Sequence, residues 1–301
     1  MRELINKIPK YSSVALGLMG VLALSVPPAT AVNLGVTPTR FEINLNSNQT
    51  RTETIRVINL DSRPVELKVS VRSWVLNENN KVVTTPPTEQ SLEQWIVYTP
   101  SRFTIPAGGA QTVRFAIRPR SQPQAGEHRA MVLLEEVPSA NSNSQSKGVR
   151  IIGRLGVAVY AYVGNIKRSG VLNSVTVDTK PKAPWAIFDV SSEGNGYVRL
   201  NGQYAVWPAA QYPGAEVTKP IADVGKPTAK VPETILDAGV LPDTPVLPNN
   251  RRRILLPIKK TLPPGQYVLD IKGDLSGKSI NQGIPFTVPQ PKPETRTQPK
   301  K

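Results

Sequence analysis

Val149-Arg150-Ile151-Ile152-Gly153-Arg154-Leu155-Gly156-Val157-Ala158-Val159-Tyr160-Ala161-Tyr162-Val163 is the stretch on which the fold turns. Val149, Ile151, Leu155, Val157, Val159, Ala161 and Val163 share one face of an extended chain, interrupted only by Gly153. A period of two is the pattern of a β-strand with one side against a core. Such a strand spans roughly 50 Å at about 3.3 Å per residue, which is long. Two readings follow. It is one core strand that runs on towards a second domain, or its first part overhangs its own sandwich and offers an edge to another chain.

Upstream, β-branched residues alternate with polar ones in Thr52–Asn59, Val65–Val71 and Thr112–Ile117. Turn clusters separate them at Asn46–Asn48, Asp61-Ser62-Arg63-Pro64, Asn77–Asn80 and Pro106-Ala107-Gly108-Gly109. Short strands at this spacing predict a β-sandwich. A Ser/Asn-rich loop, Ser139–Ser146, divides the long strand from one expected at His128–Glu136. Beyond Gly164 a second strand series follows: Val171–Val177, Ala186–Val190, Tyr197–Trp207, Arg252–Ile258, Tyr267–Ile271 and Ile284–Val288. A proline- and alanine-rich segment from Trp207 to Val231 reads as a long inserted loop. No amphipathic helix is expected. The pattern predicts two β-domains, 32–164 and 165–288, meeting near Gly164, and a disordered basic tail over 289–301.

The N-terminus speaks to compartment. Arg2, Lys7 and Lys10 precede an apolar run from Val14 to Val26, then Pro27-Pro28 and Ala29-Thr30-Ala31. Charge, a short apolar core and small residues at the end are the order of a secretory leader, here residues 1–31. The alternative is an uncleaved anchor, although the run is shorter than the roughly 18–20 residues that span a bilayer. There is no cysteine, which excludes a lipoprotein anchor, disulfides and thiolate metal sites. Losing Arg2, Glu3, Lys7 and Lys10 with the leader lowers the net charge from +15 to +13. The cations are dispersed except for Arg251-Arg252-Arg253, so in an exported protein an anionic envelope surface or solubility explains them better than nucleic acid does.

Chemistry is hard to assemble. The single histidine, His128, has no Gly-x-Ser-x-Gly elbow to accompany it. Gly194-Asn195-Gly196 reads as an ordinary turn, and neighbouring Glu135 and Glu136 point to opposite sides of a strand. One histidine and scattered acids make a poor metal set. The expectation is a polypeptide-binding protein without catalysis, cofactor, metal or small-molecule substrate.

Several pieces together resemble one known family. Val36-Thr37-Pro38-Thr39-Arg40-Phe41 is similar to the first strand of the PapD-like periplasmic pilus-assembly chaperones. Ile58-Asn59-Leu60 with Pro64 resembles that family's second strand and turn. Tyr98-Thr99-Pro100-Ser101-Arg102-Phe103-Thr104-Ile105-Pro106, leading to Gln111-Thr112-Val113-Arg114-Phe115, resembles its "P-x-x-F-x-I-x-P-G … Q-x-V-R" run. Ala125 to Ala130 and Leu134 to Pro138 resemble the segment ending in "E-I-P" before the donor strand. In the second half, Leu262-Pro263-Pro264-Gly265-Gln266-Tyr267 is the best match.

The resemblance implies an all-β protein of two immunoglobulin-like β-sandwich domains set at an angle. It implies a periplasmic chaperone that lends apolar residues of an edge strand to pilin-like or other surface-fibre subunits, with an outer-membrane usher as a further partner. Arg40 takes the place of the family's cleft arginine, which holds the subunit's C-terminal carboxylate. Val149, Ile151 and Leu155 take the places of the donor residues. The family's second cation, a lysine late in the donor strand, has no counterpart at Gly156, Val157 or Ala158; Arg150 and Arg154 are the nearest cations. A non-catalytic envelope module that reuses the fold is the alternative function.

Overall fold

The structure, a computed structural model, describes residues 33–45, 50–77, 79–119, 122–138, 152–180 and 183–290. The expected leader, the Ser139–Ser146 loop, Val149, Arg150, Ile151 and residues 291–301 lie outside the described residues.

The first half folds into β1 (Leu34–Thr37), β2 (Arg40–Leu45), β3 (Arg51–Asn59), β4 (Val65–Leu76) and β5 (Val82–Thr85), then the single turn α1 (Leu92–Trp95). It continues through β6 (Ile96–Thr99), β7 (Arg102–Ile105), β8 (Ala110–Ile117), β9 (Gly126–Glu136) and β10 (Arg154–Val163). One sheet runs β1-β3-β8-β6; the other runs β2-β10-β9-β4-β5, with β7 also on β4. Period-two alternation decides which side chains meet between them. Phe41, Ile43 and Leu45 of β2 face Ile55 and Val57 of β3, Val113, Phe115 and Ile117 of β8, and Val157, Val159 and Ala161 of β10 in one core. Phe41 and Phe115 pack edge to face, 5.1 Å between ring centres.

The chain passes from the first sheet to the second at the cis Thr37-Pro38 bond, so β1 pairs with β3 while β2 pairs in parallel with β10. Buried Asn59 ties the next turn down: its side-chain amide donates to the carbonyls of Arg63, Ile105 and Pro106, and its oxygen accepts from Asp61 N–H. The helical turn α1, which alternation did not announce, plugs one end of this core with Leu92 and Trp95.

The second half comprises β11 (Gly170–Asp178), β12 (Trp185–Ser192), β13 (Leu200–Pro208), β14 (Asp237–Val240), β15 (Arg251–Pro257), β16 (Gly265–Leu275) and β17 (Lys278–Val288). They form the sheets β11-β12-β15 and β14-β13-β16-β17 around a second core that includes Phe188, Leu200, Val206, Ile254 and Leu269. The fold is all-β, two immunoglobulin-like sandwiches. From residue 209 to residue 236 the chain is turns and irregular loop; Tyr212, which follows a 3-10 turn there, donates to buried Asp270 of β16 at 2.9 Å.

A third apolar cluster joins the halves. The face of β10 opposite the core presents Tyr160 and Tyr162, which pack with Trp74, Leu76 and Met131 of the first half and Tyr197 and Leu247 of the second. The linker is fastened beside it. Asn195 N–H donates to Lys167 C=O (3.0 Å), Asn195 Oδ1 accepts from Lys167 N–H (2.7 Å), and Glu193 N–H donates to Ser169 C=O (2.8 Å). Asn195 C=O in turn accepts from Glu127 N–H at 3.0 Å, while the Glu127 carboxylate takes Tyr197 N–H at 2.6 Å. Gly194 is needed because a Cβ there would stand 1.9 Å from Lys167 O. What reads in sequence as a plain Gly-Asn-Gly turn is the buckle between the two domains. A second contact lies at the β4–β5 hairpin, where the Arg252 guanidinium caps the carbonyls of Leu76 and Asn77.

Candidate functional site

The geometry of β10 sets one part of the site. From Arg154 to Val163 it pairs with β9 on one side. On its other side β2 begins only opposite Ala158, where Ala158 N–H donates to Thr39 C=O at 3.2 Å. Residues Arg154 to Val157 therefore have no strand on that side among the described residues. Successive backbone groups point alternately left and right. Since Ala158 N–H faces β2, the N–H and C=O of Arg154 and Gly156 face the open edge. Consistent with this, Gly153 C=O points the other way and accepts from Glu136 N–H at 2.9 Å.

Of the three residues assigned to the donor strand, Leu155 alone is described. It is half-buried and packs against the first core, next to fully buried Val157. Ile152, just ahead of it, is 54% exposed. The long strand read from Val149 onward begins at Arg154 within the described residues, where Arg154 pairs with Glu135.

The second part of the site is charged. Arg40, first residue of β2, lies in register with Ala158, at the point where the open edge ends. Arg40 and Glu42 share the outer face of β2, because Phe41 and Ile43 take the inner one, and their side chains meet at 3.1 Å. Arg40 Nη1 also lies 3.7 Å from Asp243 of the second domain. Glu42 is held more tightly: it accepts from the hydroxyls of Tyr162 (3.1 Å) and Tyr197 and faces Arg168 at 3.7 Å. Burial, with Tyr197 and the Glu42 carboxylate nearby, pushes the Tyr162 phenol far above its ordinary range; burial and the bond to Glu42 raise that of Tyr197. Both hydroxyls therefore stay protonated and act as donors.

Arg168 lies over the rings of Tyr162 (4.7 Å) and Tyr197 (5.3 Å), and Arg199 over Tyr197 (4.7 Å). Arg199 reaches Asp243 Oδ2 at 2.9 Å. Three guanidiniums against two carboxylates leave this cleft one positive charge in surplus. Sequence reading reached Arg40 alone. Glu42 was legible from its spacing, two residues along the same strand; Arg168, Arg199 and Asp243 come from the linker and the second domain, where no local pattern marks them.

Other candidate chemistry resolves into structure. His128 sits against the Trp95 ring (4.6 Å), its two nitrogens 2.8 Å from the carbonyls of Gln90 and Gln124, so it fastens two loops. In the basic run, Arg251 makes a two-pronged bond to Asp189 (2.8 Å each) and Arg252 caps the hairpin carbonyls. Among the described residues no group of three His, Cys, Asp or Glu side chains is placed to hold a metal ion.

These features define a class: a two-domain immunoglobulin-like protein with a strand edge, left uncovered among the described residues, running up to an arginine in the cleft between its domains. Residues 33–159 match the family described as pili and flagellar-assembly chaperone, PapD N-terminal domain. The match covers the first domain, and in that domain the chain is similar to the PapD-like chaperones. No curated protein matches it in sequence.

Among solved structures it is similar to the CsuC–CsuE chaperone–tip adhesion subunit pre-assembly complex from archaic chaperone-usher Csu pili of Acinetobacter baumannii. That match has 14% identity, covers 81% of this chain and 97% of that one, and has a TM-score of 0.40. It is also similar to the Salmonella enterica SafA pilin in complex with the SafB chaperone, at 12% identity, 86% and 97% coverage and a TM-score of 0.40. The E. coli chaperone DraB matches at 15% identity, 86% and 99% coverage and a TM-score of 0.39.

Proposed function

We propose that this protein is a periplasmic chaperone that receives secreted, strand-deficient subunits along the open edge of β10 and steadies their C-terminal carboxylate at Arg40. The observation that carries the reading is the register. A strand laid beside Arg154–Val157 in the position that β2 vacates, and parallel to β10 as β2 is, points its C-terminus at Arg40. Main-chain hydrogen bonds to Arg154 and Gly156 would supply affinity, and apolar side chains of β10 would complete the subunit's core. Val149 and Ile151 extend the donor face in this reading. The clients are pilin-like or other surface-fibre subunits, and an outer-membrane usher is their acceptor. The reading includes cleavage of the leader after Ala31 and no catalysis.

The ion pairs that Arg40 already makes with Glu42 and Asp243 favour a second reading, a non-catalytic envelope module that uses the fold as a scaffold. One experiment separates them. Arg154→Pro removes an N–H that faces the open edge and no bond to β9, at a position where an edge strand accepts proline; Arg154→Ala controls for the lost side chain. Tagged protein is recovered from the periplasm and its co-purifying proteins are identified. Retention of fibre subunits by the wild type and Arg154→Ala, with loss by a folded Arg154→Pro, is the expected result. Equal recovery by all three would refute strand addition.

A further inference from the structure

The cleft holds one carboxylate oxygen that touches guanidiniums of both domains. Asp243 Oδ2 lies 2.9 Å from Arg199 Nη1 and 3.7 Å from Arg40 Nη1. Its neighbours differ in how firmly they are held. Glu42 is fixed by two tyrosine hydroxyls and lies near Arg40 and Arg168, with its side chain 34% exposed. Asp243 accepts from no hydroxyl among the described residues, and its side chain is 60% exposed on the loop between β14 and β15.

Arg199, by contrast, is nearly enclosed. Its side chain is 12% exposed, lies over Tyr197 and donates to the backbone carbonyl of Asp243 at 2.8 Å. That backbone bond holds the guanidinium in place whichever carboxylate it faces. Arg168, the remaining cation, is engaged with Glu42 and two aromatic rings.

We propose that Arg199 is the second cation for an incoming C-terminal carboxylate, and that the Asp243 side chain occupies this position until it is displaced. The inference rests on the strand-addition reading and names the part of the site which that reading leaves open. Two consequences follow. The second domain becomes part of the binding site, because the carboxylate bridges an arginine from each domain. A partner that ends in a neutral group also gains nothing by displacing Asp243, so the aspartate selects for a free C-terminus. An exposed ion pair is weak and easily exchanged. Moving Asp243 aside leaves Arg40, Arg168 and Arg199 against Glu42 alone, a net charge that one carboxylate halves.

The test uses the mature two-domain protein and two synthetic probes, an eleven-residue peptide of alternating valine and threonine with a free C-terminus and the same peptide as its C-terminal amide. Binding is followed by fluorescence anisotropy. The wild type is expected to prefer the acid, Asp243→Asn to bind the acid about three- to fivefold more tightly, and Arg199→Gln to lose most of the preference. Arg199→Lys, which keeps the charge, should restore part of it.

A preference abolished by Arg40→Gln but untouched by Asp243→Asn and Arg199→Gln overturns the inference and leaves strand addition standing. Equal binding of acid and amide, lost in Arg154→Pro, does the same. Failure of both peptides to bind overturns strand addition and this inference together. Because Asp243 is exposed and its replacement nearly isosteric, that variant decides the matter even should Arg199→Gln fail to fold.

Discussion

Gly194→Ala is the sharpest probe of how the two domains are joined. The added Cβ would lie 1.9 Å from Lys167 O, 2.8 Å from Lys167 C and 2.9 Å from Ser169 N, all backbone atoms of the linker. Non-bonded atoms settle near 3.5 Å, so the linker must retreat by about 1.5 Å or the turn must twist away. Either movement breaks the bonds Asn195 N–H to Lys167 C=O, Lys167 N–H to Asn195 Oδ1 and Glu193 N–H to Ser169 C=O. At a net ~0.5–1.5 kcal/mol each, the loss of all three is about 1.5–4.5 kcal/mol.

Neither core contains Gly194, so each sandwich should keep its own fold while the coupling between them weakens. Urea unfolding should split into two transitions or move to lower denaturant relative to the wild type, and small-angle scattering should show a wider spread of shapes. Gly35→Ala is the control, since its nearest neighbours stand at 3.8 Å, an ordinary contact. A Gly194→Ala protein with unfolding free energy within ~0.5 kcal/mol of the wild type, and unchanged scattering, would refute the reasoning.

Arg252→Ala strips the caps from Leu76 C=O and Asn77 C=O, and amide exchange across β5 should quicken while the second core stays protected. Val157→Ala opens a cavity in the first core, where Val157 is fully buried, and should cost about 1–3 kcal/mol in thermal or urea unfolding. Burial raises the Tyr160 phenol to about 12, and Tyr162 and Tyr197 are raised as well. Raised phenols contribute stability that is complete below about pH 10, where the unfolded chain begins to ionise, and that is lost above it. Unfolding measured from pH 9 to 12 should therefore hold steady and then fall, with these tyrosines absent from the phenolate absorbance until the chain opens.

Alternation made the sheets legible because one side of each strand is buried: Thr52–Asn59 and Val65–Val71 read as strands for the same reason that Ile55, Val57, Leu67 and Val69 fill the core. Where that reason fails, so did the reading. Asp237–Val240 is too short to show a period, and α1 is one turn long. Gly194-Asn195-Gly196 carries the same local signal whether a turn meets water or another backbone. The charged cleft was the least legible part. Arg40 stood out through family resemblance, whereas its neighbour Asp243 lies in another domain, brought close by the packing of Tyr160 and Tyr162 against Tyr197 and Leu247. Alternation places those tyrosines opposite the core valines of β10, but does not say what covers them.

The parallel pairing of Arg40–Leu45 with Ala158–Val163 also bears on how the protein is made. A chain growing from its N-terminus holds Phe41, Ile43 and Leu45 without their neighbouring strand while the residues up to Val163 are still being added. At about 5–20 residues per second that interval lasts about 6–24 s. The loop to be closed is long, and its entropy grows only slowly with length, but contacts so distant in sequence make folding slow. Hairpins such as β16–β17 need no such wait, because their strands are adjacent in sequence. In the first domain the strand that presents the open edge is the last to be made. A truncated chain therefore has no defective version of that edge; it has no such edge until its own sheet is complete.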